Sequence, residues 1–175
     1  MIDGFEHLET DEFDTLLDAP ALITILVGAA DGELDREERH WSERLLRSRT
    51  YNRPKQLNEF YRVVVEGFWV KVNGFMAELP TDTEARGQQI SRRLEQLNTI
   101  FPKIDVQLAA DLYKGFRGLA RETAEASGGF LRLGAISLEE KQWVDLPMLN
   151  PIQAPKSDHV VDREDNWEEE EKENI

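Results

Sequence analysis

The sequence predicts an all-α fold, a compact bundle of about six to seven helices. Apolar residues recur at intervals of three and four along most of the chain, which is the spacing of one face of an α-helix. Residue pairs typical of helix starts precede these stretches, and glycine or proline follows them. One stretch, centred on Glu66 and Gly67, has a composition that favours strands. The other stretches indicate helices packed on helices.

Composition and charge narrow the classes of function. The 175 residues include no cysteine, which excludes disulfides, Fe–S clusters and thiol catalysis. The three histidines, His7, His40 and His159, are scattered, so we expect any metal to be held by oxygen. A net charge of −14 repels phosphate backbones, and we expect no nucleic-acid partner. No apolar run reaches the roughly 20 residues of a membrane span, so we expect a soluble, cytoplasmic protein without membrane insertion.

Three regions are predicted. Residues 1–17 form an acidic N-terminal segment with apolar residues for one turn of helix. Residues 18–149 form the helical domain. Residues 150–175 form a disordered acidic tail, because nine acidic and three basic residues lie between Lys156 and Ile175. The tail acts either as a solubilising segment or as a weak motif for a protein partner.

The first helix is predicted to begin at Asp18, which can cap a helix, with Pro20 in its first turn. Asp31 and Gly32 then form a turn that ends it. The apolar face of this helix consists of Leu22, Ile25, Leu26 and Ala29.

The second helix is predicted to open at Asp35. Glu38 stands three residues later, which is a capping-box arrangement. This helix should run to about Arg49, where the break from Asn52 to Pro54 closes it. Trp41 in this helix is expected in the core, as are Trp69 and Trp143.

The stretch from Leu57 to Leu79 admits two interpretations. Its β-branched and aromatic centre favours a hairpin around Glu66 and Gly67. The apolar positions nevertheless fit helical spacing over more than five turns, and we therefore predict a helix. These positions are Leu57, Phe60, Tyr61, Val64, Phe68, Phe75, Met76 and Leu79.

Three more helix starts follow. Thr81 with Glu84 is a capping box, and Asp105 is a single cap. Ser137 with Glu140 is a further capping box, predicted to open a brief helix that contains Trp143 and Leu146 and ends at Pro147. The inward residues of the first two are Ile90, Leu94, Leu97 and Phe101, and then Val106, Ala109, Tyr113, Phe116, Ala120 and Ala124, before Gly128 and Gly129.

The corner between the first two helices carries five carboxylates within the stretch ADGELDREE, from Ala30 to Glu38. Such crowding is tolerated when the groups face water, cap helices or surround a cation. An EF-hand loop is excluded, because Arg36 stands where its turn needs glycine and Ser42 where its closing glutamate belongs.

A second stretch near the end of the domain has the same order of features, which suggests an internal duplication. In both, a glycine break is followed by an aliphatic residue, a capping residue and a glutamate: Leu34, Asp35 and Glu38 in the first copy, Ile136, Ser137 and Glu140 in the second. If the copies pack as a pseudo-symmetric pair, Glu38 and Glu140 face one another and share an ion.

The stretch from Ala30 to Glu38 resembles the signature A-D-G-x-aliphatic-x-x-x-E of the TerB-like domains, named from a bacterial tellurite-resistance protein. The second copy is similar to the glycine-rich copy that many members carry, although Gly128 or Gly129 stands where an aspartate would be. The resemblance covers about residues 18–149. It implies a compact all-α bundle, a site for a divalent cation such as calcium at the acidic corner, and a role in stress-response assemblies.

We therefore expect a non-catalytic module that binds Ca²⁺ or Mg²⁺ through Asp31, Asp35, Glu38 and Glu140 and serves as an interaction or sensing unit. Helix capping and a turn hydrogen bond explain the same residues without a metal. The alternative function is a metal-free acidic adaptor that binds a protein partner through its surface or its tail. An enzyme is not expected, because the sequence has no catalytic motif and the acidic corner lacks the apolar surroundings that raise a carboxylate pKa.

Overall fold

A computed structural model describes residues 2–29, 36–51, 53–129 and 142–155, with residues 36–40 and 127–129 described by their backbone. These ranges contain helices and turns and no strand, which confirms the all-α fold. Counting the four-residue α5, they hold six α-helices, and five without it, so the number is at or slightly below the prediction. The helices are α1 (Thr10–Gly28), α2 (Arg36–Ser48), α3 (Lys55–Glu78), α4 (Thr83–Glu95), α5 (Leu97–Ile100), which continues into a 3₁₀ turn (Phe101–Lys103), and α6 (Val106–Gly129).

Helix α1 lies at the centre of the bundle and packs against α3, α4 and α6. Nearly every residue from Leu16 to Gly28 is buried, since neighbouring helices cover it on several sides. The predicted apolar face from Leu22 to Ala29 is confirmed as core. A helix that is apolar all round is typical of the interior of a bundle.

The predicted start of α1 at Asp18 is wrong, because the helix begins at Thr10. Glu9 and Glu12 form the capping box there, and the Glu9 backbone N–H donates to the Glu12 carboxylate at 3.1 Å. Asp18 instead pairs with Lys71 of α3. The predicted boundary between residues 17 and 18 therefore falls inside α1, and the preceding segment contributes Phe5 to the core.

The stretch from Leu57 to Leu79 is helical, since it forms most of α3 and its C-cap, and the helix prediction is confirmed over the hairpin. Its inward stripe is buried, whereas Val63 and Val70 lie on the solvent side. Gly67 sits within the helix without marking a turn. Tertiary packing of a long apolar stripe thus overrides the local preference of β-branched residues for strands.

The predicted cap of α4 is displaced by one residue. Asp82, not Thr81, is the cap, and its Oδ1 accepts the Ala85 N–H at 2.8 Å. The predicted cap of α6 is confirmed, since Asp105 Oδ1 accepts the N–H groups of Gln107 and Leu108 at 2.9 and 3.0 Å.

The described residues from Gln142 onward form turns, so the part of the predicted brief helix that contains Trp143 and Leu146 is wrong. Leu146 has a φ of 48°, in the left-handed region, which breaks helical geometry while its side chain is buried. The start of that helix at Ser137 lies outside the described residues. Asn98 fastens the segment to the bundle by bonding the Met148 carbonyl and the Asn150 N–H, each at 2.8 Å.

Two further predictions have structural outcomes. Trp69 and Trp143 are half-buried against the core, but Trp41 is 43% exposed, so its predicted place in the core is wrong. Within the described ranges, no helix combines the length and apolar character needed to cross a membrane.

Candidate functional site

Most of the predicted metal ligands lie outside the described residues. Asp31 and Asp35 belong to the stretch 30–35, and Glu140 belongs to the stretch 130–141. Glu38 lies in the first turn of α2, where the backbone is described. The convergence of these four residues therefore stays a prediction, and the described residues that flank the two stretches provide the geometry around it.

One flank of each stretch lines the same cleft, which has a volume of about 410 Å³ and is here called the α1–α4 cleft. Ala29, the residue directly before the first acidic stretch, lines it. So does Gln142, the residue directly after the second. The cleft lies between the end of α1, the first two turns of α4 and the turn at Trp143, and its apolar lining residues are Ile25, Leu26, Ala29, Ile90 and Trp143.

Gly87 of α4 allows the indole of Trp143 to lie directly against the helix. A Cβ built on Gly87 would stand 3.1 Å from Trp143 Cζ2 and 3.2 Å from Nε1, closer than ordinary contact. The absence of a side chain at position 87 thus fixes how closely the turn after the second acidic stretch approaches α4.

Arg86 supplies a positive charge to the α1–α4 cleft. Its side chain is 5% exposed, and its Nη2 donates to the Ala29 carbonyl at 2.5 Å. The C-terminal end of a helix carries partial negative charge, so the guanidinium is favoured at the end of α1. Sequence reasoning missed this residue, although its position four residues before the inward Ile90 is a signal that could have found it.

The described side chains do not form a metal site by themselves. No group of three His, Cys, Asp or Glu residues with suitable placement occurs within the described ranges. Glu84 is the one carboxylate among the described lining residues of the cleft, and its Oε1 accepts a hydrogen bond from Gln88 at 3.3 Å. The Ala29 carbonyl is bonded to Arg86. A divalent ion at this cleft would therefore depend on the carboxylates of the two acidic stretches.

Comparisons with protein-family models, curated proteins and solved structures found no match to this chain. The resemblance to the TerB-like domains accordingly rests on the motif from Ala30 to Glu38 and on its second copy.

Proposed function

We propose that the chain is a TerB-like, non-catalytic cytoplasmic module that holds Ca²⁺ or Mg²⁺ between its two acidic stretches. In this role it serves stress response, of the tellurite-resistance type, as an interaction or sensing unit. The observation that supports the proposal is the meeting of Ala29 and Gln142 at the α1–α4 cleft. Because the first stretch leaves this cleft after Ala29 and the second returns to it at Gln142, carboxylates of both are well placed to share one ion.

Electrostatics favours a cation at this position. Five carboxylates lie between Asp31 and Glu38, and like charges a few ångströms apart repel one another. Asp31, Asp35 and Glu38 of the first stretch and Glu140 of the second would supply the oxygen ligands that Ca²⁺ and Mg²⁺ prefer. A bound divalent ion would offset their mutual repulsion and favour one arrangement of both stretches.

The surrounding residues suggest how ion binding would be transmitted. Gln142 is followed directly by Trp143, whose indole lies against Gly87 of α4. An ion bound by Glu140 of the second stretch would therefore act close to the contact of Trp143 with α4. Since both residues line the cleft, the ion would change the surface that this end of the bundle presents to a partner.

Titration with CaCl₂ or MgCl₂, followed by thermal unfolding, tests the proposal. A ligand that binds the native state alone stabilises it, by about 2.7 kcal/mol at a hundredfold excess over Kd. For a chain of this size that corresponds to a rise in melting temperature of very roughly 5–10 °C. Asp31→Ala should abolish the rise, and Glu66→Ala, which removes an exposed carboxylate from the middle of α3, should retain it.

The second candidate is the metal-free adaptor, and the buried Arg86 favours it, because its guanidinium can offset acidic neighbours in place of a metal. In that case the wild-type chain shows no rise in melting temperature at millimolar metal. Asp31→Ala would then lower the melting temperature even in a chelator, whereas under the metal proposal the loss of one of five mutually repelling carboxylates leaves the melting temperature in chelator equal to that of the wild type or higher.

A further inference from the structure

A groove of about 610 Å³ along α6 is lined by several basic residues, although the chain has a net charge of −14. It lies between the end of α2, the exposed side of α6 and the segment that follows residue 150. Five basic residues line it, and we call it the basic groove: Arg49, Arg53, Lys114, Arg117 and Arg121.

The carboxylates near the basic groove neutralise only part of this charge. Asp145 accepts hydrogen bonds from both Arg117 and Arg121 at 2.7 Å, and these bonds, that from Arg121 first, hold the pKa of Asp145 below its ordinary value. One negative charge is thus shared between two guanidinium groups. Arg53 and Lys114 make no ion pair with any residue that the structure describes.

Arg49 provides a fixed charge at the edge of the groove. Its side chain is 3% exposed, and its Nη1 donates to the Gly115 carbonyl at 2.5 Å. Its carboxylate partner, Glu122, lies 3.5 Å from Nη2 and is 42% exposed. The buried Nε finds no acceptor within the described part of the chain. The guanidinium is therefore held in place with weak local compensation of its charge.

The described part of the chain reaches this groove shortly before an acidic segment of the sequence begins. Ile152 and Ala154 line it, and the residues from Lys156 onward continue from that point. Residues 156–175 carry nine acidic and three basic side chains, including the run Glu168 to Glu171. Tethering raises the effective concentration of such a segment at the groove above that of a free acidic peptide.

We propose that the acidic segment 156–175 docks in the basic groove of the same chain. Its carboxylates complement the cations that Asp145, Asp111 and Glu122 leave uncompensated, and Arg53 and Lys114 provide charge without a competing partner. Because the attraction is electrostatic and exposed to solvent, it weakens as salt shortens the Debye length from about 10 Å at 0.1 M to about 3 Å at 1 M. An acidic partner of this groove would have to displace the segment.

The absence of native cysteine permits a direct test on the full chain. A nitroxide attached at Asn166→Cys broadens amide signals near it, and the amides of Asp111 and Arg121 on α6 report on the groove. We expect strong broadening of both at low salt. The double substitution Arg53→Glu with Lys114→Glu should reduce it to the level that 1 M NaCl produces in the wild-type background.

The matched control reverses two exposed arginines outside the groove, Arg62→Glu with Arg92→Glu, and should leave the broadening intact. Broadening that survives both salt and charge reversal in the groove would show that tethering alone holds the segment near α6, and would overturn the proposal. The proposal is also wrong if inorganic phosphate shifts the groove amides while the broadening is insensitive to charge reversal, since the groove then serves a separate anion.

Discussion

Arg49, which directly follows α2, forms a tight polar contact with Tyr61 of α3 and Gly115 of α6. Arg49 bonds the Gly115 carbonyl at 2.5 Å, and its guanidinium carbon lies 5.7 Å from the centre of the Tyr61 ring. A Cβ built on Gly115 would stand 2.5 Å from the Tyr61 hydroxyl oxygen, a distance that real side chains avoid. Glycine at position 115 therefore allows the buried tyrosine and arginine to meet α6.

Gly115→Ala should consequently destabilise the chain. Alanine gains about 1 kcal/mol in helix propensity over glycine, but overpacking in a closed site costs about 1–3 kcal/mol, and the rigid Tyr61 ring leaves little room to relax. We expect a lower free energy of unfolding in urea. The loss should shrink when Tyr61→Phe removes the obstructing oxygen.

Gly118→Ala serves as the control, because its added Cβ would lie 3.4 Å from Arg49 Nη2 at ordinary contact distance. That substitution should be neutral or stabilising. Equal destabilisation by both substitutions would contradict the steric account of Gly115.

At the level of elements, the contact between the Trp143 indole and Gly87 of α4 is a second close approach that depends on a glycine. Gly87→Ala places a Cβ at 3.1 Å from the indole, so we expect Trp143 to move away from the α1–α4 cleft. Tryptophan fluorescence should shift to the red, and the shift should be absent in the Trp143→Phe background.

Gly74 of α3 provides the matched control for Gly87, since a Cβ there meets nothing within 4 Å. Gly74→Ala should stabilise the helix by about 0.5–1 kcal/mol and leave the fluorescence unchanged. A fluorescence spectrum that Gly87→Ala leaves unaltered would show that Trp143 does not depend on this contact.

The helices differ in how far the sequence could predict them. The apolar spacing of α3 and α6 was sufficient to predict both helices, because packing of a long stripe decides the structure whatever the local preferences are. The predicted inward position of Val106 in the first turn of α6 is wrong, since this residue is 51% exposed. The start of α1 was missed because Asp18 and Pro20 form a convincing helix start that the structure places in a helix interior. Asp18 instead pairs with Lys71 of α3, a contact between residues distant in the sequence, and Pro20 is buried within α1.

For the candidate site, the sequence could indicate the acidic stretches but not their surroundings. Arg86 and Gly87 have no motif, and their roles follow from the approach of Ala29 and Trp143 in space. Likewise, the five cations of the basic groove come from the residues that follow α2 and from α6, so no local run of the sequence reveals them. Local sequence patterns indicate helix caps and repeats. Contacts between residues of different helices can be identified only from the three-dimensional structure.

On the scale of the whole molecule, the negative charge is unevenly distributed. The acidic stretch 30–35 leaves from the α1–α4 cleft and the stretch 130–141 returns to it, whereas the basic groove lies along α6 beside the start of the acidic tail. This arrangement separates two proposed electrostatic events, cation binding at one site and docking of the tail at the other. We expect Asp31→Ala to remove the metal response and to leave the docking of residues 156–175 unchanged.

Paramagnetic relaxation by Mn²⁺ tests the central claim most directly. Mn²⁺ occupies oxygen sites that suit Mg²⁺ and Ca²⁺, and it broadens amide signals close to where it binds. If the two acidic stretches share one ion, substoichiometric Mn²⁺ broadens the amides of Ala29 and Gln142 together and spares Val70 on α3, and Asp31→Ala removes both effects. Broadening confined to residues 156–175, or to one side of the α1–α4 cleft, would contradict the shared site.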